Sequence, residues 1–176
     1  MKGNEFILRQ LFFIRRILAA LNVKTGDYNK RDVPVIGPLL RRDELGAKQK
    51  HDWSYRSAIG MLGYLQNSTR PDISMAFHQC ACFNANPMLC HEKAVKYIVR
   101  YLLSSQGKGI HYKPDMTRGL EYYVNEDFAG GWSSGDYTNP ECVLSRTGFV
   151  IMYAGFPLTW FSKLQMGIAL STTESE

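Results

Sequence analysis

Residues 89–125 read Leu-Cys-His-Glu-Lys-Ala-Val-Lys-Tyr-Ile-Val-Arg-Tyr-Leu-Leu-Ser-Ser-Gln-Gly-Lys-Gly-Ile-His-Tyr-Lys-Pro-Asp-Met-Thr-Arg-Gly-Leu-Glu-Tyr-Tyr-Val-Asn. The hydrophobic period changes inside this stretch. Up to Leu103 the apolar residues recur at helical spacing, with Ala94, Tyr97, Ile98, Tyr101 and Leu102 as a stripe. After Ser104 the period becomes two: Gly109–Lys113 is a short strand, 114–119 a turn, and Leu120–Asn125 alternates as a second strand. A helical first part followed by strands makes the chain α+β.

Working back toward the start, Ser54 caps a helix over Tyr55–Leu65, with Ile59, Leu62 and Leu65 on one face. Ser68–Asp72 breaks it. Pro71 and Asp72 suit the first turn of a third segment that runs to about Phe83. Phe6–Leu21 has near-helical spacing with basic residues between, and the Gly- and Pro-bearing stretch 22–53 is a long linker. The first helix is therefore expected as a separate element, loosely joined. Working forward, 128–139 is a loop, Thr147–Tyr153 and Leu158–Phe161 are strands about an Ala154-Gly155 turn, and Thr172 or Thr173 caps a helix with carboxylates behind it. The expected divisions are 1–53, 54–106 and 107–176.

The length of 176 residues suits one domain or two small pieces, and 45% apolar with 21% charged residues excludes a wholly disordered chain. The best apolar run, Leu11–Leu21, is broken by Arg15 and Arg16, so neither a membrane span nor a secretory leader is expected, and the chain is read as soluble and intracellular, in cytoplasm or nucleus. Net charge is +5, distributed unevenly. Residues 1–53 and 54–118 each carry a formal +5, and 119–176 carry −5. A basic front suits a phosphate backbone and an acidic back suits divalent metal.

His78, Cys80, Cys82, Cys90 and His91 cluster. Structural zinc favours Cys-x2–4-Cys pairs, whereas Cys80-x-Cys82 lies in a helical segment, where residues two apart diverge. These cysteines, with Cys142, are read as buried or half-buried free thiols. Lys93, Lys96 and Arg100 form a basic face on the third long helix, to which Lys108 adds. Two readings stay open for it, a solvated surface and a nucleic-acid backbone track. No phosphate loop, dinucleotide fingerprint or hydrolytic triad is visible.

Seven blocks, in order, resemble the polyprotein of copia-type retrotransposons, where reverse transcriptase runs into ribonuclease H. They are Tyr55–Leu62 with Tyr64-Leu65, Thr69-Arg70-Pro71-Asp72-Ile73, His91–Lys96 with Arg100-Tyr101-Leu102, Tyr123–Gly130, Ser145–Gly148, Trp160–Gln165 and Ala169–Glu176. Residues 6–21 more weakly resemble the end of a polymerase thumb. The resemblance implies a truncated ribonuclease H-like antiparallel sheet after a helical connector. The palm, with its Tyr-x-Asp-Asp turn, is expected before Met1. The partners implied are an RNA–DNA hybrid or other nucleic acid, bound weakly, and the rest of the Pol polyprotein, with no membrane.

The implied chemistry is two-metal hydrolysis, with Mg²⁺ ions about 4 Å apart held by carboxylates. The family's first ligand is the leading aspartate of a Tyr-x-Asp-x-Asp-aromatic-Ala-Gly block. That position is Asn125 here, a neutral oxygen donor. The second ligand matches Glu176, and a third belongs on a later strand. Glu126 should face away from Asn125. Asp127 shares its face but sits roughly 7 Å along the strand, too far to substitute. Glu126 and Asp127 are read as solvated acids and Glu174 as a helix-start charge. Mg²⁺ is therefore not expected to bind productively. The leading expectation is a polyprotein fragment without independent catalysis. Next comes a surviving hybrid-binding module, and last an active ribonuclease H. An uncovered apolar sheet face is also expected, bearing Val124, Phe149, Ile151, Tyr153, Leu158 and Trp160.

Overall fold

The computed structural model describes residues 5–24, 26, 31–35, 37, 39–43, 45–48, 50, 52–130, 132 and 143–175. The chain is α+β and divides into two compact units, Ile7–Ile110 and Met1–Phe6 with His111–Glu176. Among the described residues no helix is long and apolar enough to cross a membrane.

The first unit is helical. It holds α1 (Leu11–Ala20), α2 (Tyr55–Ser68), a 3-10 turn at Pro71–Ile73, α3 (Ser74–Ala81) and α4 (Leu89–Ser104). The helix expected over 6–21 begins late. Phe6–Leu8 is instead a strand, β1, paired with β2 (Ile110–Tyr112) in a two-stranded sheet. Three consecutive apolar residues carry no helical spacing, and the Phe6 ring stacks on Tyr112 at 4.7 Å.

Nor is α1 a loosely joined element. Ile14, Ile17, Leu18 and Leu21, at i, i+3, i+4 and i+7, are buried in one core with Leu62 and Leu65 of α2, Ile73, and Val95, Ile98, Val99 and Leu102 of α4. Each such side chain contributes about 1.5–3 kcal/mol by leaving water. Ser54 caps α2, its hydroxyl accepting from the Ser57 N–H at 3.3 Å. The helix α3 stops at Ala81, short of Phe83, and passes into turns. On α4 the buried stripe is rotated from the expected one. Val95 and Val99 join Ile98, Tyr101 and Leu102, while Ala94 and Tyr97 lie half-buried on its flank.

The second unit is built on an antiparallel sheet of order β3-β4-β5: β3 (Leu120–Asp127), β4 (Arg146–Tyr153) and β5 (Phe156–Leu164). The hairpin between β4 and β5 turns on Ala154 and Gly155, both at positive φ (50° and 84°), the geometry that matches strand twist in a two-residue loop. The register places Leu120, Tyr122, Val124, Phe149, Ile151, Tyr153 and Phe161 on one face. Tyr122 and Val124 are each 65% exposed. The expected apolar face is therefore present, with two corrections. Trp160 pairs with Val150 and so lies on the opposite side from Phe149 and Ile151, and Leu158 falls at the irregularity between the Ile151–Thr159 and Met152–Pro157 pairs, where it has no partner in the ladder.

The last helix, α5 (Thr172–Ser175), is capped by Ser171, not by Thr172 or Thr173. The Ser171 hydroxyl accepts from the Glu174 N–H at 3.1 Å, and the Glu174 carboxylate accepts from the Leu170 N–H at 2.7 Å. The Ser171 hydroxyl thus caps the helix, while Glu174 reaches back past it to the preceding residue, which fixes the cap one residue earlier than expected.

Candidate functional site

On β3, Asn125 is exposed and pairs across the ladder with Gly148. Alternation puts Glu126 on the opposite face and Asp127 on the same face, opposite Arg146. The Asp127 carboxylate lies against Gly130, where any Cβ would collide with it. It is thus folded into the turn after β3. The same turn is tied down where the Ala129 N–H meets the Ser145 hydroxyl at 3.4 Å, with Ala129 at φ 46°. Further along this face, Arg118 holds Glu121 through two bonds of 3.0 and 2.7 Å, which keeps the Glu121 carboxyl below its usual range. Glu174 is the capping acid of α5. Glu176, the matched ligand position, lies outside the described residues. Among the described residues no group of three or more His, Cys, Asp or Glu is placed to hold a metal ion.

The cysteine-histidine cluster resolves into separate environments. Cys80 is buried, Cys82 exposed and Cys90 half-buried, all as free thiols. Burial pushes the Cys80 thiol up to about 12. The His91 ring is buried, stacked on Phe83 at 3.9 Å, and both its nitrogens are committed. Nδ1 accepts from the Met88 N–H at 3.0 Å, which leaves the proton on Nε2 to donate to the Arg41 carbonyl at 2.9 Å. It is a satisfied core histidine that ties the linker to α4. Cys142 lies outside the described residues.

Lys93, Lys96 and Arg100 follow one another along α4 at i, i+3 and i+7. Lys93 is exposed, whereas Lys96 and Arg100 are half-buried and each engages a neighbour within the fold. Lys108 is tied inward, its Nζ donating to the Tyr101 hydroxyl at 3.1 Å and lying 5.3 Å from the Tyr101 ring centre. Exposed basic side chains also stand elsewhere in this unit, at Arg15, Arg16 and Arg56, where the sequence pattern had not singled out a track.

The feature missed most plainly is the network around Arg70. Its guanidinium is 1% exposed. Nε and Nη2 donate to the two Asp72 oxygens at 2.9 and 2.8 Å, a bidentate pair. Nη1 and Nη2 also reach the Ser105 carbonyl and hydroxyl at 3.2 and 2.7 Å. The Tyr101 hydroxyl donates to Asp72 at 2.6 Å. Thus the Thr-Arg-Pro-Asp break and the Arg-Tyr-Leu block, 29 residues apart at Asp72 and Tyr101, meet in one clamp that joins the start of α3 to the end of α4. The signal available in sequence was the pairing of Arg70 and Asp72 around a proline. Nothing in the spacing announced Tyr101 or Ser105.

The Retrovirus-related Pol polyprotein from transposon RE1 of Arabidopsis thaliana is 34% identical over 173 residues, which covers 96% of this chain and 11% of that protein. The Retrovirus-related Pol polyprotein from transposon TNT 1-94 of Nicotiana tabacum is 34% identical over 184 residues, 99% of this chain and 13% of that protein. The chain thus spans about a tenth to an eighth of these polyproteins. A shorter relative, the Secreted RxLR effector protein 161 of Plasmopara viticola, is 34% identical over 122 residues, 69% of this chain and 80% of that protein. No family model matches the chain. No solved structure matches it.

Proposed function

We propose that this chain, which belongs to the family of copia-type, retrovirus-related Pol polyproteins of transposons, is a non-catalytic nucleic-acid-binding segment of such a polyprotein. In this reading the helical unit is the region connecting reverse transcriptase to ribonuclease H, and the sheet is the opening of a ribonuclease H-like domain. The rest of Pol is its natural partner, packing on the apolar face of the sheet. The match to 80% of a short effector protein supports the segment standing apart from a full polyprotein.

One observation carries the binding half. Charge divides along the two units: Ile7–Ile110 holds 16 basic against 7 acidic side chains, a formal +9, and the remainder holds 5 against 9, or −4. A +9 unit of this size favours phosphate contacts, which supply affinity without reading sequence. The footprint includes exposed Lys93, Arg15 and Arg16. Lys96, Arg100 and Lys108 contribute less because each is engaged within the fold.

The inactive half rests on the donor set. Mg²⁺ ligation in this family's site would need anionic oxygens, and position 125 offers a neutral amide. Asp127 is turned into its own turn against Gly130. These residues do not fit a metal pair.

The test is binding to an RNA–DNA hybrid across a salt series. We expect weak, salt-dependent affinity, and Arg15→Ala with Lys93→Ala should reduce the slope of log K against log salt by about two. Affinity that is the same at low and moderate salt would refute the reading.

A further inference from the structure

We propose that the cleft between α3 and α4 is a binding site for a small aromatic carboxylate. It is a cavity of about 240 Å³ within the helical unit. Ala76 and Cys80 of α3 and Ala94 and Ile98 of α4 form its walls, with Val35 and Leu40 of the linker beside them. Ala76, Cys80 and Ile98 are at most 2% exposed, so the deep wall is dry and apolar. The space exists because positions 76 and 94 are alanine. A leucine or phenylalanine at either would fill it. An apolar cavity of about 150 Å³ holds a benzene ring, so this one has room for two fused rings.

The polar groups are few and lie to one side, as in a ligand site, where an apolar body is oriented by one or two contacts. Lys93 lines the cavity and is exposed, an ammonium at the mouth. Tyr97 supplies an aromatic wall one turn along, and the Arg31 guanidinium lies 4.8 Å from its ring centre, adding positive potential. Among the described residues no lining side chain is acidic. Asp43 acts on the Cys90 thiol, so a carboxylate is directed away from Cys90 and toward Lys93. Gln79 lines the cavity with a buried Oε1 that has no hydrogen-bond partner among the described residues. A flat rigid body loses little rotamer freedom on entry, which favours rings over a flexible acyl chain. This inference does not depend on the nucleic-acid reading.

The probe is 2-naphthoate, with neutral 2-naphthamide as its isostere, titrated against the full chain by fluorescence and by backbone amide shifts. A ligand of this size is expected to bind near about 0.1 mM. The carboxylate should improve binding about fivefold over the amide, as an exposed ammonium allows. Lys93→Gln should erase that difference while leaving naphthamide affinity unchanged. Ala94→Phe should abolish binding of both probes with the helical circular dichroism retained. If Ala94→Phe does not fold, shifts confined to residues 76–80 and 93–98 in the native chain give the same localisation. Binding that survives in folded Ala94→Phe, shifts confined to the exposed strand 120–124, or a naphthoate preference that survives Lys93→Gln would each overturn the proposal. So would no binding at roughly millimolar probe.

Discussion

Changing Asp72 to alanine strands the Arg70 guanidinium, 1% exposed, without an anion beside it. Breaking a buried ion pair from one side costs about 3–5 kcal/mol. The Asp72 side chain is 32% exposed, so water screens part of the loss, and about 2–3 kcal/mol is the expected figure. For a helical unit of this size that corresponds to a melting point lower by about 10–20 °C. Tyr101→Phe removes the bond to the Asp72 carboxylate together with the one accepted from Lys108, and should cost about 1.5–3 kcal/mol. In the Asp72→Ala background it should cost about 1 kcal/mol less, because the acceptor is already gone. The assay is urea denaturation followed by helical circular dichroism, with exposed Asp115→Ala as reference. A loss for Asp72→Ala no larger than that reference would refute the clamp.

The pH dependence gives a second reading of the same network. Burial raises the Asp72 carboxyl, but the bonds from Arg70 and Tyr101 and the Arg70 charge outweigh it and hold the group below its ordinary 3.8. A carboxyl lowered in the folded state contributes fully above its unfolded value and loses that contribution as pH falls through the folded one. The difference between native chain and Asp72→Ala should therefore be flat from pH 8 to pH 5 and shrink only below about 4. Narrowing at neutral pH would assign the effect to another group.

Three further outcomes are expected. The chain should release no labelled RNA from an RNA–DNA hybrid with Mg²⁺ or Mn²⁺, and Asn125→Asp alone should not change that, since Asp127 stays turned into its own loop; Mg²⁺-dependent cleavage by the native chain would overturn the inactive reading. Gly155→Ala should destabilise the sheet unit by about 1–2 kcal/mol, because φ is 84° there, and denaturant titration followed by near-ultraviolet signal checks it. Tyr122→Lys with Val124→Lys should lower self-association measured by sedimentation, since both residues are 65% exposed on one apolar face; unchanged association would place the sticky surface elsewhere.

Period and punctuation made most of the fold legible. The switch from helical to alternating spacing after Ser104, the Ser54 cap and the Ala154-Gly155 turn are local, and local signals survive into the structure. The misses have one physical source, which is contact between distant residues. Phe6–Leu8 is a strand because Ile110–Tyr112 lies ready to pair with it. The α4 stripe is rotated because α1, α2 and α3 decide which face is inside. At the candidate site, strand alternation correctly separated Glu126 from Asp127. That Asp127 folds back on Gly130, and that Lys108 is drawn to Tyr101, depends on turns no spacing reveals.

The block most characteristic of the resemblance, Thr69–Ile73, places its arginine where a phosphate could not reach it, so recurrence of a basic residue in a motif here marks architecture and not a nucleic-acid contact. The exposed charge that could track a phosphate backbone lies instead on ordinary helix surface, at Arg15, Arg16 and Lys93, where substitutions are structurally cheap. Those residues depend on the core of Ile7–Ile110, in which Asn125 takes no part. A change at position 125 on β3 therefore leaves the core of the helical unit untouched. On the proposed reading hybrid binding is separable from metal-dependent chemistry, and hybrid affinity should be the same in the native chain and in Asn125→Asp. An affinity that rises several-fold on restoring the carboxylate in the presence of Mg²⁺ would show that the two are coupled after all.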